Sequence, residues 1–169
     1  MKRNMFKTVL CSLLIAALLA ASVPALAASK VAYILKVSVP GSPGTYMRSG
    51  SSKAGGTSNI TGSLKNGTKV LYWGVKSGQM LKVMSANGKT GYVYQGNLKS
   101  YGAVRTNQLY ATTGKTTVYK RSGSKMVKKG TVGQNIPVIL FSTNNGWAYV
   151  RSLSGASAYV KASSLKKVG

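Results

Sequence analysis

The 169 residues contain no aspartate, no glutamate and no histidine, against 24 lysines and arginines. Average globular chains carry about 25% charged residues of both signs, so chance does not produce this composition. Side-chain sites for zinc, calcium and magnesium are built from carboxylates, imidazoles and thiolates, and the first two are missing altogether. No metal or cofactor is therefore expected. Acid and base catalysis would fall to lysine and tyrosine, whose free pKa values lie near ~10. No side-chain ion pair can form, and every charge pair repels. Cys11 apart, no side chain has a reference pKa between roughly 4 and 9, so the side-chain charge stays nearly constant over that range.

Cysteine occurs once, as Cys11, inside an apolar stretch running from about Val9 to Ala21. Lys2, Arg3 and Lys7 precede that stretch, and Pro24-Ala25-Leu26-Ala27 follows it. This is the pattern of a secretory signal peptide, residues 1–27, cleaved after Ala27. The apolar run is shorter than the ~20 residues of a membrane-spanning helix. Leu10 before Cys11 and the further apolar residues after it argue against a lipoprotein cysteine. The expected product is secreted, extracellular or wall-associated, without a thiol or disulfide. Losing Lys2, Arg3 and Lys7 from the 24 cations leaves 21 on it.

Helical periodicity is also lacking. Short runs rich in Val, Tyr, Leu and Ile, such as "TKVLYWGV", "TGYVYQ", "IPVILF" and "WAYVRSL", alternate with Gly, Asn and Ser. Such spacing predicts an all-β chain of small barrels or sandwiches. Pro40 and Pro43 fall in a turn region, and Pro137 is placed at a strand start, where its missing N–H does least harm.

The chain repeats itself. "TYMRSGS" (45–51) matches "VYKRSGS" (118–124), and "KVMSANGKTGYVYQGNLK" (82–99) matches "YVRSLSGASAYVKASSLK" (149–166) without a gap. Tyr46 thus answers Tyr119, Arg48 answers Arg121, Gly88 answers Gly155 and Val93 answers Val160. One extra residue in the first copy is expected near Gly78, and a shorter loop follows Ser124 than follows Ser51. The predicted modules are 28–100 and 107–169, joined by a linker at 101–106. Each is of a size at which a single core is marginal but feasible.

Tyr-x-Arg-Ser-Gly, "GSLKNGTKV", "NNGW", "NGKTGYV" and a closing "NLK" appear in an order that resembles the bacterial Src-homology-3-type (SH3b) domain, twice over, across most of residues 31–168. The resemblance implies two small SH3-like β-barrels in tandem after the signal peptide. It further implies a non-enzymatic module that holds exported proteins against peptidoglycan. Within it "NGKTGYV" reads as a hairpin, with Asn87-Gly88 as a two-residue turn. The competing readings of this stretch fail. A phosphate-binding loop needs a glycine where Val83 stands. The penicillin-recognising signature needs Ser-x-x-Lys before its KTG and an SDN-type element, but the pairs beginning at Ser122, Ser163 and Ser164 all follow Lys89 and the chain has no Asp.

Ligand contacts are assigned to Tyr46, Arg48, Tyr119, Arg121 and Trp147, beside loops where the family's grooves are expected. For the two arginines the alternative is tethering a loop. Trp147 is answered by Met80, so the first copy lacks that aromatic contact. Of Tyr46, Trp73, Tyr92, Tyr94, Tyr119, Trp147, Tyr149 and Tyr159, at least half are expected to serve packing. Beyond residue 27 only Arg48, Arg105, Arg121 and Arg151 are arginines. Lysine is a mobile point charge, whereas arginine offers a bidentate fork, so the balance points to diffuse attraction to a polyanion. The expected partners are peptidoglycan or anionic wall polymers, with an anionic membrane surface as a further possibility. The rival functions are a cationic membrane-active, antibacterial protein and a binder of extracellular DNA or biofilm matrix. Neither copy carries a base-reading element.

Overall fold

A computed structural model describes residues 31–51 and 57–168. The proposed signal peptide and Cys11 lie outside the described residues. The first half contains β1 (Val31–Val37), β2 (Gly44–Arg48), β3 (Ile60–Lys65), β4 (Lys69–Ser77), β5 (Met80–Ser85), β6 (Thr90–Tyr94) and β7 (Leu98–Arg105). The second contains β8 (Leu109–Thr112), β9 (Thr116–Ser122), β10 (Lys125–Val132), β11 (Pro137–Asn144), β12 (Trp147–Ser152), β13 (Ser157–Lys161) and β14 (Leu165–Lys167). Single 3-10 turns at Gln95–Asn97, Thr106–Gln108 and Ala162–Ser164 are the helical elements among the described residues. The protein is all-β, and Pro137 opens β11 as expected.

The two halves have one topology. The first sheet runs β3-β2-β6-β5-β4-β1-β7 and the second β10-β9-β13-β12-β11-β8-β14, with every described pairing antiparallel. Neither sheet closes into the barrel expected from the sequence. β7 pairs with β1 rather than β3, so each curled sheet keeps two edges. The ends nevertheless approach across a core, since Leu64 of edge strand β3 clusters with Leu35 and Val37 of β1. Lysines lie along all four edge strands, among them Lys65, Lys99, Lys125, Lys128, Lys129 and Lys166. Charge at an edge opposes pairing with another chain.

Matched turns hold the matched strands in phase. Gly88 N–H donates to Ser85 O and Ser85 N–H to Lys89 O, both at 2.9 Å, with Gly88 at φ +82°. Ser152, Gly155 and Ala156 repeat these bonds at 3.0 and 2.8 Å, with Gly155 at φ +103°. "NGKTGYV" is therefore a hairpin, but its loop is the three residues Ala86-Asn87-Gly88 rather than two. A type I turn followed by a left-handed glycine requires that third residue. The extra residue of the first copy sits not at Gly78 but in a bulge between Tyr72 and Lys76, where Gly74 takes φ +98°. The shorter second bulge falls between Leu140 and Ser142.

Of residues 101–106, expected to link the modules, 101–105 continue β7: Gly102 to Arg105 pair with β1 and Tyr101 sits at the bulge before them. They are strand because the second module covers them: Val104 clusters with Ala32, Ile34 and Leu71 of the first half and with Leu109, Ile139 and Leu153 of the second. Ile34 and Leu109 hold equivalent registers, each opposite Leu71 or Ile139. The two copies thus bury the same two positions against each other. The turn at Gly88 adds a contact, since a Cβ there would lie 2.6 Å from Asn135 O of the second module.

Candidate functional site

The five residues assigned from sequence fall into two equivalent places, built on β2, β5 and β6 in one module and on β9, β12 and β13 in the other. In the first, Thr45, Tyr46, Arg48, Met80, Tyr94 and Asn97 line a cleft of about 380 Å³. Tyr46 is 56% exposed, whereas Met80 is only 3% exposed and fills the base. Asn97 Nδ2 donates to Thr45 Oγ1 at 2.6 Å, fixing the 3-10 turn against β2. Arg48 donates to Asn59 Oδ1 across the β2–β3 hairpin.

In the second module Trp147 takes the place of Met80 and Lys161 that of Tyr94. Tyr119 meets Trp147 edge to face, with centroids 4.9 Å apart and planes at 82°. Lys161 Nζ lies 3.9 Å from the centroid of the Trp147 ring. An ammonium over a ring face is attracted by the ring quadrupole, a partner of the kind left to cations in a chain without carboxylate side chains. The result is an aromatic and cationic stack at the surface, where the first module has an open cleft. Arg121 Nε donates to Gly123 O at 3.1 Å. Both arginines thus make the loop-tethering bonds that were the alternative to ligand contact. Tyr46, Tyr119 and Trp147 present the ring surface.

None of the eight aromatic side chains considered as stacking platforms is fully buried. The cores are mainly aliphatic: Val70, Val83 and Val93 are completely enclosed in the first half, and Val138, Val150 and Val160 are buried in the second. Strand alternation sends Tyr92 and Tyr94 to the face opposite Val93. On that outer face Tyr149 packs on Tyr159 at 5.0 Å and on Phe141 at 6.0 Å, while Trp73 packs at the module junction.

Sequence reasoning did not single out a third place, at the junction. A cleft of about 490 Å³ there is lined by Lys69, Tyr101 and Arg105 from one module and Phe141 and Arg151 from the other. Lys69 Nζ lies 3.9 Å from the Tyr101 centroid, and the Arg151 guanidinium carbon 4.7 Å from that of Phe141. The neighbouring Lys69 ammonium, by hydrogen bonding and charge, with a smaller contribution from Lys36, holds the Tyr101 phenol below its ordinary value. The cleft's two rings, Tyr101 at 54% and Phe141 at 46% exposure, stand out only once the chain is folded.

No family model and no curated protein matches this chain. Among solved structures, the chain is similar to NlpC2 from Trichomonas vaginalis, at 12% identity and a TM-score of 0.34, over 81% of this chain and 48% of that one. It is also similar to NlpC1 from Trichomonas vaginalis, at 13% identity and a TM-score of 0.33, over 84% of this chain and 48% of that one. The chain spans about half the length of each.

Proposed function

We propose that this is an exported, non-enzymatic tandem SH3-like protein that attaches to the bacterial cell wall. Aromatic faces at equivalent places in its two modules contact peptidoglycan, and the uniformly cationic surface draws it to anionic wall polymers. The observation that carries the reading is that an aromatic ring with a cation nearby falls at the equivalent surface place in both copies: Tyr46 with Arg48 in one, and Tyr119 with Trp147 and Lys161 in the other. Rings offer flat faces for sugar or peptide, and surrounding cations raise the local concentration of a polyanion. The absence of Asp, Glu and His from the chain supports a binding role over an enzymatic one.

The test pairs two measurements on the exported chain. Co-sedimentation with purified cell walls is expected at low salt, together with no release of dye from anionic vesicles. Dye release without wall retention would overturn wall attachment in favour of membrane disruption. Retention by DNA at low salt combined with none by walls would overturn it in favour of a matrix-binding role.

A further inference from the structure

We infer that the cleft between the modules binds a phosphodiester-linked sugar or polyol chain. This rests on the wall-attachment reading and gives that reading a polymer class and a second, separate site.

Charge and geometry converge there. Two of the four arginines beyond residue 27, Arg105 and Arg151, line the cleft with Lys69, whereas Arg48 and Arg121 bond to their own hairpins. Arg105 and Arg151 make no side-chain hydrogen bond among the described residues, and both are exposed. A guanidinium stacked on a ring, as Arg151 is on Phe141, keeps its in-plane N–H donors for an oxyanion. No side chain of this protein can supply that oxyanion, because the chain contains no Asp or Glu. An external anion can supply it.

The floor decides the class of anion. Beneath the cations lie Val104 and Ile139, members of the apolar junction cluster, so the cleft offers carbon contact as well as charge. A phosphodiester flanked by sugar or polyol carbons satisfies both surfaces. A volume of about 490 Å³ accommodates one or two such units. It does not admit a nucleic-acid duplex. Because both modules contribute cations, ligand binding would also clamp the junction.

The test titrates the exported chain with a synthetic glycerol-phosphate hexamer. Arg105→Gln with Arg151→Gln should weaken binding about tenfold or more, given the strength of bidentate arginine contacts. Lys69→Gln alone should weaken it about threefold, as loss of a single point charge. Lys125→Gln, Lys128→Gln and Lys129→Gln together remove more charge from the exposed edge strand β10, and should cost no more than about threefold. Equal losses in the arginine and β10 variants, or no binding of the hexamer by the unaltered chain, would overturn the site. Duplex DNA of equal phosphate number, bound as tightly and with the same arginine dependence, would overturn the polymer class. Wall sedimentation separates the two claims. If the unaltered chain is not retained by walls while the hexamer pattern holds, wall attachment falls and the phosphodiester site stands. If walls retain the arginine double variant fully and the hexamer shows no arginine dependence, the cleft falls alone.

Discussion

The two halves share one strand order and the same turn bonds, yet they are filled differently. The first encloses a cluster of eight buried residues, including Leu35, Met47, Leu64 and Leu81. The corresponding cluster of the second consists of Val138, Ala148, Val150 and Val160, with Ala148 in the place of Leu81. Equivalent positions diverge as well, with Met80 buried in one copy and Trp147 half-buried in the other. Turn geometry and strand alternation therefore specify the topology, while the volume inside and the chemistry outside vary on it. What the copies do share is the junction, where Ile34 and Leu71 meet their counterparts Leu109 and Ile139.

Cutting at that shared feature should give the largest effect. Leu71→Ala and Ile139→Ala occupy equivalent registers in one cluster, and each should cost about 2–5 kcal/mol. Both should move a single unfolding transition in calorimetry. Two separate transitions, with each substitution shifting only its own, would show that the modules fold independently.

Next come the paired turn glycines. Gly88→Ala and Gly155→Ala both place a side chain at positive φ, at roughly 1–3 kcal/mol each. Only Gly88 faces Asn135 O, with a built Cβ at 2.6 Å, whereas nothing lies within 4 Å of Gly155. The Gly88 variant should be less stable by a further ~1–3 kcal/mol, the usual cost of overpacking. Equal urea midpoints for the two variants would remove this contact from the junction.

Electrostatics should act on both halves alike. Screening relieves repulsion and costs no side-chain ion pair, so about 0.3 M NaCl should raise the melting temperature by a few degrees. A fall in melting temperature would contradict a purely repulsive charge set.

The smallest effect concerns Tyr101. Lys69 lowers its pKa, so Lys69→Gln should move the Tyr101 transition in ultraviolet difference titration to higher pH. The linked stabilisation is fully present above the ordinary value of ~10 and is lost as pH falls through the lowered one. With Tyr101 more than half exposed, screening leaves the titration itself as the observable.

Strands, turns and duplication were legible because each is local: Val and Tyr alternation, Asn-Gly and Ser-Gly turns, and the repeated Arg-Ser-Gly. Open sheets were not, because whether edge strands meet depends on how far a bulged sheet curls. Residues 101–105 read as linker because Gly102 and Ala103 are weak strand formers, and Val104 is buried only once the second module arrives. The junction cleft was hidden for a related reason. In a chain where every charge is positive, Lys69, Arg105 and Arg151 carry no local mark. Only tertiary packing brings residues so far apart in sequence together. For Arg48 and Arg121 the sequence left two roles open, ligand contact and loop tethering, and the structure adds hydrogen bonds to Asn59 and Gly123.

The most direct test of wall attachment through aromatic faces is sedimentation of residues 28–169 with walls stripped of teichoic acid, in near-molar salt, comparing the unaltered chain with Trp147→Ala. The expected result is that the unaltered chain stays with the walls, and that Trp147→Ala releases most of it while remaining folded, its melting temperature lowered only by the few degrees that loss of the Tyr119 and Lys161 contacts costs. Complete release of the unaltered chain by salt, or equal retention of the two proteins, would contradict aromatic recognition and leave charge alone to hold the protein.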